Sequence, residues 1–293
     1  MDWVNRRKKF RKVLQGKKCV YPGSVYDALS ARIAEDLGFE VGMFAGSTGS
    51  LSVLGAPDLI VLTLSEFAQQ ALRINRAGEL PLMVDADHGY GNALNVKRTV
   101  EELETAGVAA LTIEDTVLPR PHGPSGKPTL ISIDEGIGKM KAALAGRQDK
   151  TLVVAGRTSA FKTTSVKDGV ARIKAYEKAG VDAIFLASVT TKAQVEAARD
   201  AVKLPLLLGG GGTGEIYDKK WLDAVGVRVC LTGHQPIRAA VQGLYNTLKA
   251  LRDGVAPKDL TGLASGDLMN KVTRLDNYKK WTKDYLGGEI GGE

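Results

Sequence analysis

No window of the sequence approaches eighteen uninterrupted apolar residues, which excludes a membrane-spanning helix as an organising element. No charged-then-apolar leader with a small-residue cleavage site opens the chain, so a secretory signal is not expected. Cysteine is scarce: Cys19 and Cys230 are the two, and they lack metal-ligand spacing, so both are expected as reduced core residues inside strands. No Gly-X-Gly-X-X-Gly follows the first apolar run, which disfavours a dinucleotide-binding open sheet. Nor is charge of one sign gathered in a block. The net charge of +7 is dispersed, which favours anionic substrates and gives little support for nucleic-acid binding. The expectation is a cytoplasmic protein with neither a nucleic-acid nor a membrane partner. The basic opening, residues 1–14, could be taken for an organelle presequence, but it leads straight into the first strand with no spare linker; a helix covering one barrel end is expected instead.

What the sequence does contain is a repeated unit. At 293 residues and 44% hydrophobic, the chain can bury one large core or two modest ones. Eight short apolar runs read as strands: residues 19–21, 41–44, 82–84, 110–113, 152–155, 183–186, 206–208 and 227–231. Between them lie helical patterns, with apolar faces of Leu29, Ile33 and Leu37; Phe67, Ala71 and Ile74; Val96, Val100 and Leu103; and Ile137, Met140 and Leu144. Helix starts carry capping boxes at Thr63 with Glu66, Ser132 with Glu135, and Thr191 with Gln194. Helix ends repeat a glycine stop at Gly38, Gly107, Gly180 and Gly226, each just before a strand. Eight such units predict a parallel (β/α)8 TIM barrel spanning residues 1–293 as one domain, with 253–293 as a C-terminal helical appendage and tail. Residues 236–252 read as a long helix with Ile237, Val241, Leu244, Leu248 and Leu251 on one face.

Barrel chemistry collects at the C-terminal ends of strands, so the residues there form one constellation. The third strand runs into Asp85-Ala86-Asp87-His88-Gly89-Tyr90-Gly91-Asn92. Two carboxylates one residue apart repel unless a cation neutralises them, most simply a divalent metal with oxygen ligands; a solvated acidic turn is the plainer alternative. The second strand leads to Gly46-Ser47-Thr48-Gly49-Ser50, an oxyanion-binding turn or an ordinary connection, and then to Asp58. The fourth gives Glu114 and Asp115, and the fifth gives Arg157. One arginine among several acids suggests a metal and a carboxylate substrate between them, with a ring of structural salt bridges as the alternative. After the eighth strand comes His234, read as a substrate contact or a structural group, while His88 could hold its own loop in shape. Residues 119–129, rich in Pro and Gly and carrying His122, read as a lid or a plain surface loop. The glycine run 209–214 admits phosphate binding as a minority reading.

These motifs resemble the isocitrate lyase and phosphoenolpyruvate mutase superfamily over nearly the whole chain. The resemblance rests on Pro22-Gly23-Ser24-Val25-Tyr26-Asp27-Ala28-Leu29-Ser30-Ala31-Arg32, on Asp85 through Asn92, on Leu111-Thr112-Ile113-Glu114-Asp115 and on Gly156-Arg157-Thr158. Within the superfamily the chain is most similar to the bacterial oxaloacetate decarboxylase branch, through residues 85–96 and Thr232-Gly233-His234. The resemblance implies Mg²⁺, with Mn²⁺ left open as a substitute, held directly by Asp85 and largely through water by Asp58, Asp87 and Glu114. It implies Ser47 at the oxyanion turn, and Arg157 and His234 on carboxylate oxygens. It further implies a small anionic 2-oxo acid substrate and a homotetramer, or dimer of swapped dimers, formed by exchanging C-terminal helices. Lyases of this superfamily carry a lid cysteine, and the mutase lid has an Asp-Lys-X-Asn-Ser pattern. Here the lid reads Gly123-Pro124-Ser125-Gly126-Lys127-Pro128-Thr129, with neither. Decarboxylation of oxaloacetate to pyruvate is therefore the first expectation. A C–C lyase or a C–P mutase or hydrolase on a related acid is the alternative, since Ser159 stands where many relatives have Asp or Asn. A catalytically silent dicarboxylate-binding barrel is the non-enzyme alternative.

Overall fold

In the computed structural model, which describes residues 1–123, 128–210 and 214–288, the chain divides into two compact units, Met1–His234 and Gln235–Glu293. The first unit alternates strand and helix. Its strands are β1 (Gly23–Ser24), β2 (Gly42–Phe44), β3 (Leu82–Asp85), β4 (Ala110–Glu114), β5 (Val153–Thr158), β6 (Ala183–Ala187), β7 (Leu206–Gly209) and β8 (Val227–Cys230). They pair in parallel and in chain order, as expected of a (β/α)8 barrel. Val20 joins the two ends of the order: its N–H donates to the Arg228 carbonyl at 2.9 Å and its carbonyl accepts from the Cys230 N–H at 3.0 Å. Residues 19–21, expected as the first strand, supply only this bridge. Pro22 has no N–H to continue the ladder, and β1 begins just beyond it.

The helices are α1 (Trp3–Gln15), α2 (Ala28–Asp36), the single turn α3 (Gly46–Gly49), α4 (Leu64–Arg76), α5 (Ala93–Thr105), α6 (Ile133–Gly146), the short α7 (Ala160–Thr163), α8 (Val166–Ala179), α9 (Lys192–Ala201) and α10 (Lys219–Val225). The expected caps form: Thr63 and Glu66 bond reciprocally, as do Thr191 and Gln194, and Ser132 accepts from the Glu135 N–H. Gly38, Gly107, Gly180 and Gly226 all adopt the left-handed conformation that ends a helix at little cost. The faces expected for α4 and α5 are buried. That of α2 is not: Leu29, Ile33 and Leu37 point outward, and Ala31 and Ala34 face the core. The reason is close approach, since a Cβ on Gly23 of β1 would already stand 3.0 Å from the Ala34 Cβ.

Side-chain alternation along the strands makes two cores. Leu111, Ile113, Val84, Val154 and Ile184 pack outward against helix residues such as Val96, Val100 and Met140. Met43, Met83, Ala110, Val153, Phe185, Leu207 and Val229 fill the barrel interior, and Phe10 and Leu14 of α1 join them from the N-terminal end. The basic opening is thus a barrel cover. Arg6 binds the Asn75 carbonyl and Glu79, Arg7 binds the Val108 and Glu104 carbonyls and Asp149, and Arg11 binds the Thr151 and Leu152 carbonyls and Asp182. Both cysteines are buried and reduced, and burial pushes the Cys19 thiol up to about 12.

The second unit contains α11 (Gln235–Arg252), α12 (Gly266–Thr273) and α13 (Leu275–Leu286). Val241, Leu244, Leu248 and Leu251 of α11 are exposed, as are Leu268, Tyr278 and Trp281 of α12 and α13. Among the described residues no helix is long and apolar enough to cross a membrane.

Two glycines of α6 give a test of the helix packing. A Cβ on Gly146 would stand 2.4 Å from the Lys97 carbonyl of α5, whereas one on Gly138 meets nothing within 4 Å. Gly146→Ala is expected to destabilise by about 1–3 kcal/mol through overpacking. Gly138→Ala should gain roughly 0.5–1 kcal/mol from helix propensity. Urea unfolding midpoints measure both, and changes of the same sign would contradict the packing described.

Candidate active site

The same alternation that builds the interior core selects the side chains that emerge above it. On β3 Met83 is inside, so Asp85 at the strand end follows inside, with Asp87 in the loop beyond it; on β4 Ala110 and Thr112 lead to Glu114; on β5 Val153 and Ala155 lead to Arg157. Asp85 Oδ1 accepts from the Thr112 hydroxyl at 3.0 Å and from the Asp87 N–H at 3.2 Å, an Asx turn that folds the loop back. Asp87 is left-handed, with φ of 48°, which an aspartate tolerates better than most residues. Its carboxylate lies against the turn after β2: a Cβ on Gly46 would stand 2.4 Å from Asp87 Oδ2. This brings Ser47, half-buried in α3, beside the acidic loop.

Arg157 lies among these acids. Its Nη1 donates to Asp85 Oδ2, and its Nε lies 3.1 Å from Glu114 Oε2 without being aligned on it as a hydrogen bond. The guanidinium also covers the Phe185 ring at 5.4 Å. Burial alone would lower the pKa of Arg157, but Asp85 and Glu114 outweigh it and hold the group charged. The acids respond in the opposite sense. Burial and then the charge of Asp85 raise Asp87 well above the usual carboxylate range. Asp58, on an exposed loop, is raised by partial desolvation and by Asp85, while Arg157 and His234 oppose the rise. Glu114, 6% exposed, is raised chiefly by burial. Two carboxylates thus touch the guanidinium, and the charges of Asp87 and Asp58 reach it as well.

His234 completes the group from after β8. Its Nδ1 is 2.8 Å from the Ser24 hydroxyl oxygen of β1. Burial lowers its pKa, and Asp85 and Asp58 pull it back up. Asp115, expected beside Glu114, turns the other way and is fully buried. There it accepts from the Tyr176 hydroxyl at 2.6 Å and from Arg172 at 3.0 Å, in a structural cluster behind the barrel wall. His88 is 3% exposed, and its carbonyl accepts from Lys139 at 2.9 Å, which suits a role in loop shape. Ser24, Thr112 and Phe185 were not singled out by sequence reasoning. Only a strand register could have flagged Thr112 and Phe185, which pair with Asp85 and Arg157, whereas Ser24 emerges only through its contact with His234.

A cavity of about 370 Å³ opens over the ends of β4, β5 and β6, lined by Glu114, Arg157, Ser159 and Ser188 and by Arg120 and His122 of the Pro- and Gly-rich segment. That segment leaves and returns through an antiparallel bridge between Thr116 and Leu130. Its residues 124–127 lie outside the described residues, as do 211–213, and with them half of the glycine run read for phosphate. Gly209 of that run has a packing role: a Cβ there would strike the Phe185 ring at 2.5 Å.

Among the described residues no three His, Cys, Asp or Glu side chains already converge as a coordination sphere. The donor chemistry nevertheless fits a hard divalent cation. All four acids offer oxygen, three have raised pKa values, and a cation relieves the same repulsion that Arg157 relieves in part.

The comparisons agree with this architecture. Residues 10–252 match the family model described as phosphoenolpyruvate phosphomutase. A protein of Bradyrhizobium sp. (strain ORS 278), named oxaloacetate decarboxylase, is 55% identical over 287 residues, covering 98% of this chain and 99% of its own. The crystal structure of 2,3-dimethylmalate lyase, described as a member of the PEP mutase/isocitrate lyase superfamily, superposes with a TM-score of 0.83 at 28% identity, covering 97% of this chain and 99% of the other. Phosphonopyruvate hydrolase in complex with oxalate and Mg²⁺ superposes with a TM-score of 0.82 at 28% identity, covering 96% and 99%. With its barrel, its acidic loop and its arginine in place, the chain belongs to the phosphoenolpyruvate phosphomutase family, within the PEP mutase/isocitrate lyase superfamily.

Proposed function

We propose that this protein decarboxylates oxaloacetate to pyruvate and CO₂. The observation that carries the reading is the field of four carboxylates around Arg157 at the barrel mouth, joined to the 55% identity with a protein named oxaloacetate decarboxylase. Asp85, with Asp58, Asp87 and Glu114 around it, would hold Mg²⁺ or Mn²⁺. Such a cation supplies Lewis-acid stabilisation of negative charge on a bound 2-oxo acid.

The chain's own residues then have separable tasks. Arg157, kept charged and seated on Phe185, pairs with a substrate carboxylate in place of one of its present acid partners. His234 donates to a carboxylate oxygen from the opposite side of the barrel mouth. The turn at Ser47 contributes polar groups beside Asp87 where the oxyanion develops. Breaking the C3–C4 bond sends its electron pair into the enolate of pyruvate, CO₂ departs without prior proton abstraction, and a proton from solvent then adds at C3 to give pyruvate. The lid segment needs no acid or base for that step, in keeping with its lack of a cysteine. We further propose a homo-oligomer, a tetramer or dimer of swapped dimers, in which exchanged C-terminal helices cover the exposed apolar faces of α11, α12 and α13.

Three measurements test this reading. Pyruvate release from oxaloacetate should be saturable and exceed the metal-only background in the wild type. In Asp85→Ala the loss should be on the order of 10²-fold or more, as for removal of a group that stabilises developing charge. If both proteins match the background, the decarboxylase reading fails. Mg²⁺ should raise the thermal midpoint more at about pH 7.5 than at about pH 5.5, because the raised carboxyl groups must release protons before they can bind a cation. An equal or larger shift at the lower pH would contradict the assigned acids. Light scattering should return the mass of four chains, and Leu244→Glu with Leu248→Glu should lower it; a wild-type monomer would refute the assembly.

A further inference from the structure

We infer that Ser24 is a positioning residue which fixes the tautomer of His234, so that the neutral ring presents an Nε2–H donor to the substrate. This rests on the role given to His234 under the proposed function.

Ser24 is held in place by the short strand β1. It pairs with Met43 in the β1–β2 ladder, and its neighbours are fastened on both sides, the Gly23 N–H donating to the Val41 carbonyl and the Val25 N–H to the Met43 carbonyl, each at 2.9 Å. Val25 packs in the outer core, so by alternation Ser24 faces the interior, where it is 8% exposed. A group held on a strand places its partner more accurately than one on a loop. His234 itself follows β8 with no regular structure of its own, and it makes no other hydrogen bond among the described residues. The 2.8 Å contact with Ser24 therefore sets which way the ring turns.

Burial disfavours the charged ring, which leaves one proton to be shared between two nitrogens. If the Ser24 hydroxyl donates to Nδ1, the proton stays on Nε2. The opposite arrangement would present a lone pair at Nε2. Burial outweighs Asp85 and Asp58, the two negative charges whose fields would otherwise favour the charged ring. A 2-oxo diacid brings only oxygen acceptors, so the Nε2–H form is also the one that binds it. A neutral imidazole used as a hydrogen-bond donor needs such an orienting partner, because the other nitrogen decides its tautomer.

The test uses the full-length protein with ¹⁵N-labelled histidine. The chain has three histidines, so His234→Asn assigns the resonance of interest. The wild type should show a neutral His234 with Nε2 protonated and Nδ1 unprotonated. Ser24→Ala should give a mixture of tautomers and lower kcat on the order of tenfold, with KM within about twofold, as expected when one orienting hydrogen bond is lost. Ser24→Thr should restore both. The inference is overturned if Ser24→Ala keeps the wild-type tautomer, or keeps kcat within twofold of the wild type. A wild type that does not turn over oxaloacetate sinks the proposed function, and the tautomer comparison then still decides the role of Ser24.

Discussion

The guanidinium of Arg157, set between Asp85 and Glu114, is the interaction on which the barrel mouth depends. A partly buried arginine is tolerable only with compensating negative charge, and closely spaced carboxylates are tolerable only with compensating positive charge. Each therefore licenses the other. The compensation is incomplete, because one fixed positive charge faces four acids, three of them displaced toward protonation. Such an excess is a poor device for stability and a good one for capturing a cation together with an anionic ligand. The arginine is held from below by the Phe185 ring, which the absence of a side chain at Gly209 makes room for.

Strand alternation explains why the acids divide as they do. Glu114 and Asp115 are neighbours in sequence, yet they serve opposite sides of the barrel wall. Glu114 faces Arg157, and Asp115 is spent on Tyr176 and Arg172 of α8, where it ties the fourth and fifth units together. The loop after β3 escapes this rule only through an Asx turn and a left-handed aspartate, which return Asp87 toward the turn that carries Ser47.

Much of this was legible from residue patterns alone. Glycine stops and capping boxes marked the helix boundaries, because those signals depend on one or two residues and their own backbone. Asp85, Asp87, Glu114, Arg157 and His234 could be named because strand ends of a barrel share one face. What escaped depended on distance between elements. The inward face of α2 is alanine because the helix lies close to Gly23, and no periodicity within the helix reveals that. The displacement of the first strand reflects Pro22 and the demands of pairing with β2 and β8. Thr112 and Phe185 acquire meaning only once β4 and β6 are in register with their neighbours, and Ser24 only through its contact with His234.

The arginines of α1 carry a consequence for how the chain is made. Arg6, Arg7 and Arg11 fasten to the entrances of the third, fourth, fifth and sixth strands, so a single helix laces together segments that are far apart in sequence. The partner of Arg11 at Asp182 lies 171 residues downstream. During synthesis α1 precedes all of these partners, and although Asn75 and Glu79 follow early, Asp182 appears only after well over half the barrel has been made. Its final docking then records that four successive units have arrived in their proper order.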